Sequence, residues 1–277
     1  MPACLLEDRG ILRVAGPEAR DLLQRIVTCD MAKVAPNAPA FGALLTPQGK
    51  ILVDFIVSER GQEEFLLDCD KDHLSELARR LSIYRLRAQA IIDDLSKSIG
   101  VAAIWNEPHG LPDFVGSEVD PRSPALGYRL VDDWPDLRAN AHLSADAQAY
   151  ENQRITVGAP KGGLDFAYGD AFPHEANMDH LYGVDFQKGC YVGQEVVSRV
   201  EHRGLARRRI LRVKIVGAAP APGTPIYAGD SEVGVMGSSV ADIGLAMLRV
   251  DRATEAKSFG VALATEAGAT IIPDIPT

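Results

Sequence analysis

The chain has 277 residues, 46% of them hydrophobic and 24% charged, with a formal net charge of −9 at pH 7. That length suits roughly one to three domains that bury their own cores. The acidic balance excludes a general nucleic-acid binder, which needs a basic surface to neutralise phosphates, and no apolar run reaches the roughly 20 residues of a membrane span.

Four cysteines stand at positions 4, 29, 69 and 190. None is in a CxxC pair or at ligand spacing from a histidine, which argues against a zinc site or a self-contained cluster motif. Reduced thiols are expected. The opening MPACLLEDRG has neither a basic segment leading an apolar run nor the acid-poor composition of a transit peptide, so a cytoplasmic protein is expected.

In chain order, residues 10–16 read as a strand turning at Gly16-Pro17. Pro17 suits a first helical position, and Ala19, Leu22, Leu23 and Ile26 form one apolar helix face to about residue 27. Residues 41–45 and 51–57 are apolar runs around Thr46-Pro47-Gln48-Gly49-Lys50, a hairpin in which Gly49 takes the positive φ. A short strand at 64–67 follows. Asp70 then caps a helix with Leu74, Leu77, Ala78 and Leu81 on one face. Residues 84–92 alternate as a strand. Strands at 101–105 and 125–131 flank a Pro-rich loop, and 136–157 carries a strand and then a helix capped by Ser144. Residues 158–190 lose periodicity, as functional loops often do. Beyond 209, short apolar segments alternate with Gly/Pro/Asp turns, the pattern of a small barrel. The expected architecture is α+β: two ferredoxin-like subdomains over 1–205 and an antiparallel β-barrel over 206–277.

Chemistry concentrates at Lys188-Gly189-Cys190-Tyr191-Val192-Gly193-Gln194-Glu195. Two glycines flank the thiol and let the backbone approach a ligand or bend sharply. Lys188 and the later arginines would favour thiolate, the nucleophile and metal ligand. Residues 185–214 carry a local balance of +5 (eight Lys/Arg against three Asp/Glu), a place to receive an anion in an acidic chain. From composition alone, the buried small hydrophobe, the usual fate of a free cysteine, is the favoured reading of Cys190.

That octapeptide resembles the K-G-C-Y-x-G-Q-E motif of the YgfZ family of folate-binding iron–sulfur maturation proteins. Phe172-Pro-His-Glu-Ala-Asn-Met-Asp179, Leu45-Thr-Pro-Gln-Gly-Lys-Ile51, Tyr84-Arg-Leu-Arg87 and Gly223-Thr-Pro-Ile226 are similar to other family segments, and the likeness runs from about residue 10 to 261. It implies that Cys190 is the functional thiol. It also implies iron–sulfur client enzymes or assembly proteins as partners, radical enzymes that modify tRNA among them, with no direct contact to nucleic acid or membrane.

The wider group includes the glycine-cleavage T-protein, a tetrahydrofolate-dependent aminomethyltransferase. By that resemblance Asp54, Glu175 and Arg203 are the implied folate contacts, and tetrahydrofolate or another reduced folate is the implied cofactor. Carboxylates suit a pterin's amino-pyrimidinone edge, and basic side chains suit its anionic tail. The chain departs from the T-protein at Val53, where an aspartate is expected. It departs again at Phe65-Leu66-Leu67, which lacks a tyrosine, and at Arg154–Gly158, which lacks a glutamate. An accessory role is therefore favoured over a one-carbon transferase using Asp54, with a folate-free scaffold as a third reading.

Overall fold

A computed structural model describes residues 2–105, 116–140, 142–203 and 206–275, except that the side chain of Arg203 falls outside the description. The contacts divide the chain into two compact units. The first comprises Met1–Tyr150 and Met178–Gln194, and the second Glu151–Asn177 and Glu195–Thr277.

The first unit is built on β1 (Ala3–Leu5), β2 (Arg9–Ala15), α1 (Ala19–Gln24), β3 (Ala40–Leu45), β4 (Ile51–Gly61), β5 (Glu64–Asp70), α2 (Leu74–Arg85), β6 (Ile91–Asp94), β7 (Ile99–Ile104), β8 (Glu118–Val119), β9 (Tyr128–Asp133) and α3 (Trp134–Ala139). Its strands form an antiparallel five-stranded sheet, β3-β4-β5-β2-β6, and a four-stranded sheet, β1-β7-β9-β8. Alternation along each strand decides its two faces. Leu12, Val14, Val53, Phe55, Phe65 and Leu67 pack against Leu22 and Leu23 of α1 and Leu74, Leu77 and Leu81 of α2. Ile11 and Leu66 pack instead with Cys4, Val101, Ala103, Trp105 and Tyr150. The far side of the smaller sheet, through Ala3, Ala102, Ile104 and Leu130, takes Leu137 of α3.

Gly49 adopts φ 82 in the β3–β4 hairpin, as the sequence requires. Asp70 does cap, but it caps a 3-10 turn over Lys71–His73 that leads into α2. The strand expected over 84–92 is not formed: α2 runs to Arg85, and only Ile91–Asp94 pairs with β2. Leu81 and the flanking helix formers extend the helical period past the point where alternation begins. Residues 134–139 are helical where a strand was expected, and the turn before Gln148 is closed by Asp146, whose carboxylate accepts from the Gln148 N–H at 2.9 Å, in place of Ser144. The tip of the Pro-rich loop, residues 106–115, lies outside the described residues.

α4 (Ala147–Val157) leads into residues 158–193, which carry no helix or strand, as the lost periodicity indicates; α5 (Gln194–Arg203) follows. The second unit's strands are β10 (Arg208–Val216), β11 (Pro225–Ala228), β12 (Ser231–Val240), β13 (Ile243–Arg249), β14 (Leu263–Ala264) and β15 (Thr270–Pro273). They close into an antiparallel six-stranded barrel in the order β10-β13-β12-β11-β14-β15. A helix that alternation did not reveal, α6 (Val250–Ser258), buries Ala253 and Ala256 against the barrel core. No helix among the described residues is long and apolar enough to cross a membrane.

Candidate functional site

The octapeptide up to Gln194 lies in the first unit, on a segment held at several points, and its last residue, Glu195, belongs to the second. The Thr28 carbonyl accepts from the Asp185 N–H at 3.0 Å. The Thr28 hydroxyl donates to the Gly183 carbonyl at 2.5 Å and accepts from the Ala43 N–H at 2.8 Å. Asp185 then makes the side-chain turn typical of its residue type: Oδ1 accepts from the N–H groups of Gln187 (2.8 Å) and Lys188 (3.1 Å), while Oδ2 pairs with Lys33.

Lys188 folds back so that Nζ donates to the carbonyls of Val27 and Cys29, each at 2.7 Å. The ammonium also lies 5.2 Å from the Tyr191 ring centroid. Lys188 was expected to favour the Cys190 thiolate. Its charge is committed to these carbonyls instead, so it anchors the segment. Burial lowers its pKa, against the opposing influence of Cys29, Asp30 and Asp185.

The two glycines are not equivalent. Gly193 has φ +83, and a Cβ there would stand 2.5 Å from the Thr46 carbonyl oxygen and 3.1 Å from the Gly49 Cα. It is the residue that lets the motif lie on the β3–β4 hairpin. A Cβ on Gly189 would meet nothing within 4 Å, so no protein atom packs against that position. Gln194 closes the motif: its Oε1 accepts from the Tyr191 N–H at 3.0 Å, and its own N–H donates to the Tyr191 carbonyl at 3.3 Å. Tyr191 is buried, and burial pushes its phenol up to about 12. Glu195 is exposed in the first turn of α5, where the helix dipole favours a carboxylate.

Between these fixed points Cys190 is exposed, whereas Cys4, Cys29 and Cys69 are all buried. Burial drives the thiols of Cys29 and Cys69 up to about 12, so neither forms thiolate near neutrality. Cys190 is the cysteine whose sulfur solvent, a metal ion or a second thiol can reach.

Asp54 lies on β4 in the same unit, opposite Ala43 across the ladder and 8% exposed. Its neighbours Val53 and Phe55 belong to the helix-side core, which puts Asp54 on the opposite face. Its charge reaches Arg9, whose pKa is raised: burial works against the charged form, and Asp68, with Asp54 assisting, outweighs it.

Glu175 and Arg203 belong to the second unit. Glu175 is buried; Oε1 accepts from Arg208 Nε at 2.8 Å, and Oε2 from the Phe172 N–H at 2.9 Å and Arg208 at 3.2 Å. Its basic partner in this unit is thus Arg208, one of the Arg207-Arg208-Arg209 run. Arg203 ends α5, and its side chain lies outside the described residues.

Sequence reasoning missed a buried polar network in the first unit. Asp68 pairs with Arg9 (2.6 Å) and with Arg129, and Asp120 pairs with Arg122 (2.7 Å) and Arg129 (3.1 Å). The Tyr150 hydroxyl accepts from Arg122 at 3.0 Å and Arg129 at 3.3 Å. Burial alone would raise the Asp120 pKa, but the two guanidiniums hold it far below the usual carboxylate range. These residues are spread from Arg9 to Tyr150 over strands, a loop and a helix, and no local sequence pattern links them.

Residues 7–105 match the GCVT N-terminal domain, and residues 207–277 match the CAF17 C-terminal β-barrel domain. The mitochondrial iron–sulfur cluster assembly factor IBA57 of Mus musculus is 32% identical over 275 residues, which cover 88% of this chain and 76% of that protein. The chain belongs to the IBA57 family.

The Homo sapiens protein is 31% identical, covering 89% of this chain and 77% of its own length. The Mycosarcoma maydis homologue is 32% identical over 79% of this chain, which spans 58% of that longer relative. The crystal structure of glycine cleavage system aminomethyltransferase T from Bartonella henselae superposes with a TM-score of 0.76 at 16% identity, covering 98% of this chain and 84% of that one. That likeness establishes the shared fold. The IBA57 relatives are mitochondrial by name, which overturns the cytoplasmic location inferred from composition and points to the mitochondrion. Reduced cysteines and an acidic, globular composition suit any reducing interior, so they never distinguished the two compartments.

Proposed function

We propose that this protein is a tetrahydrofolate-binding accessory factor for iron–sulfur cluster assembly or repair that acts through the thiol of Cys190. Membership of the IBA57 family supports the role in iron–sulfur cluster assembly. The observation that carries the residue assignment is that Cys190 alone of the four cysteines is exposed, on a segment pinned by Lys188, Gly193 and Gln194. A thiolate so placed is suited to hold cluster iron or sulfur as cargo, or to meet a thiol of an assembly protein or client enzyme. The clients are iron–sulfur enzymes, with radical enzymes that modify tRNA included by the motif's likeness to the YgfZ family.

Asp54 and Glu175 fit the folate part of this reading in chemistry. Each is a mostly buried carboxylate, and such a group pairs well with a pterin's amino-pyrimidinone edge. Oε1 of Glu175 accepts from Arg208 alone among the hydrogen bonds described, leaving a lone pair for a ligand donor. Bound folate would supply one-carbon or redox chemistry, and a buried carboxylate such as that of Glu175 is suited to hold the pterin. Anaerobic calorimetry with tetrahydrofolate tests this: binding should weaken at least tenfold, about 1.4 kcal/mol, in Glu175→Ala. Absence of binding to the wild type would remove folate from the proposal.

The transferase alternative makes Asp54 essential and Cys190 dispensable. Asp54→Asn and Cys190→Ala proteins, compared for support of iron–sulfur enzyme activity in cells lacking the wild type, separate the two. Loss in Cys190→Ala with retained fold supports the accessory role, and full support by that variant refutes it.

A further inference from the structure

Three connections and a helix of the first unit converge on a cavity of about 510 Å³ that shares no residue with the octapeptide segment. Glu7 comes from the β1–β2 turn and Lys71 from the 3-10 turn before α2. Ser96 and Lys97 come from the β6–β7 turn, and Trp134 and Arg138 from α3. Loop convergence of this kind is where small-molecule sites form.

The walls are fixed. Ser96 Oγ accepts from the Ile11 N–H at 3.0 Å, and the Trp134 indole N–H donates to the Ser96 carbonyl at 2.9 Å. One side of the indole lies on Gly100, where a Cβ would come within 2.6 Å of the ring, and the Arg138 guanidinium stands 5.1 Å from the ring centroid. Asp94, which also lines the cavity, accepts from the Ser96 N–H at 2.9 Å.

The charges lining the cavity are not matched in pairs. Among the described residues Lys71, Lys97 and Arg138 have no carboxylate within ion-pair distance, and Glu7 has no basic partner. Elsewhere in the same unit arginines are paired, as at Arg9, Arg13, Arg122 and Arg129. Three cations, Lys71, Lys97 and Arg138, face one concave space against two carboxylates, Glu7 and Asp94; this local excess of positive charge in a chain of net charge −9 favours entry of an anion.

We infer that this cavity binds a small multivalent oxyanion, a phosphorylated or polycarboxylate metabolite whose hydroxyl or amine meets Glu7. Lys71, Lys97 and Arg138 receive its anionic oxygens, and Trp134 holds Arg138 in place.

Isothermal calorimetry on the whole chain, with inorganic pyrophosphate and citrate as separate probes at matched ionic strength, tests the inference. Saturable binding of at least one probe is expected, with Kd below about 1 mM, and the preferred probe assigns phosphate or carboxylate chemistry. The Lys71→Ala/Lys97→Ala protein should bind it at least tenfold more weakly, while Lys257→Ala, an exposed charge on α6, should bind as the wild type does. No saturable binding of either probe would overturn the inference. Equal weakening by the Lys257 change would overturn it too, because the effect would then be one of overall charge.

Discussion

At the scale of single residues, burial sorts four chemically identical thiols into two kinds. Cys29 and Cys69 keep their protons to about 12 in the folded chain, against an ordinary value of 9.0 that the unfolded chain approaches. Below pH 9 both states are protonated, and the difference costs nothing. Between about 9 and 12 the unfolded state binds fewer protons, so stability falls as pH rises, by up to about 1.4 kcal/mol per pH unit for each thiol. Urea midpoints measured from pH 8 to 10.5 should therefore decline, and decline less steeply in Cys69→Ala.

Gly193 offers a second test at this scale. Its positive φ and the 2.5 Å approach of a Cβ to the Thr46 oxygen predict that Gly193→Ala loses about 1–3 kcal/mol, read as a lower urea midpoint. The octapeptide itself was legible in the sequence, because its residue types are unusual together. Which of its two glycines is under steric demand was not, since that depends on a hairpin about 145 positions away.

Among the elements, the segment leading to Cys190 owes its shape to side chains that cap backbone groups. Lys188→Met keeps the length of the stem but leaves two carbonyls, those of Val27 and Cys29, without their donor. A loss of about 1–3 kcal/mol is expected, with faster amide exchange over residues 185–193 as the specific readout. Where the two sheets of the first unit meet, removing the Asp120 charge leaves Arg122 and Arg129 buried with one counter-charge fewer. Asp120→Asn should cost about 3–5 kcal/mol in chemical denaturation.

The hairpin, the first helix face and the barrel strands were readable because local patterns determine them. Local pattern failed at residues 84–92, where alternation overlaps the end of α2, and at α6, whose alanines look like loop until they meet the barrel. The Arg208 partner of Glu175 was hidden among three consecutive arginines, any of which the sequence allows.

For the whole molecule, fold and family point the same way: the fold is that of an aminomethyltransferase, and the chain belongs to the IBA57 family. A fold hosts more than one chemistry, and function is argued from the site. Val53 lies in the hydrophobic core where the T-protein pattern calls for an acid, and the thiol carried at the surface is Cys190. Under the proposed function, this one sulfur carries the activity. Purified wild-type chain treated anaerobically with one equivalent of N-ethylmaleimide should be modified at Cys190 alone, as read by peptide mass spectrometry. Its ability to support maturation of an iron–sulfur enzyme should fall in step with that modification, to the level of an untreated Cys190→Ala protein. A chain fully modified at Cys190 that still supports maturation at the wild-type rate would contradict the claim.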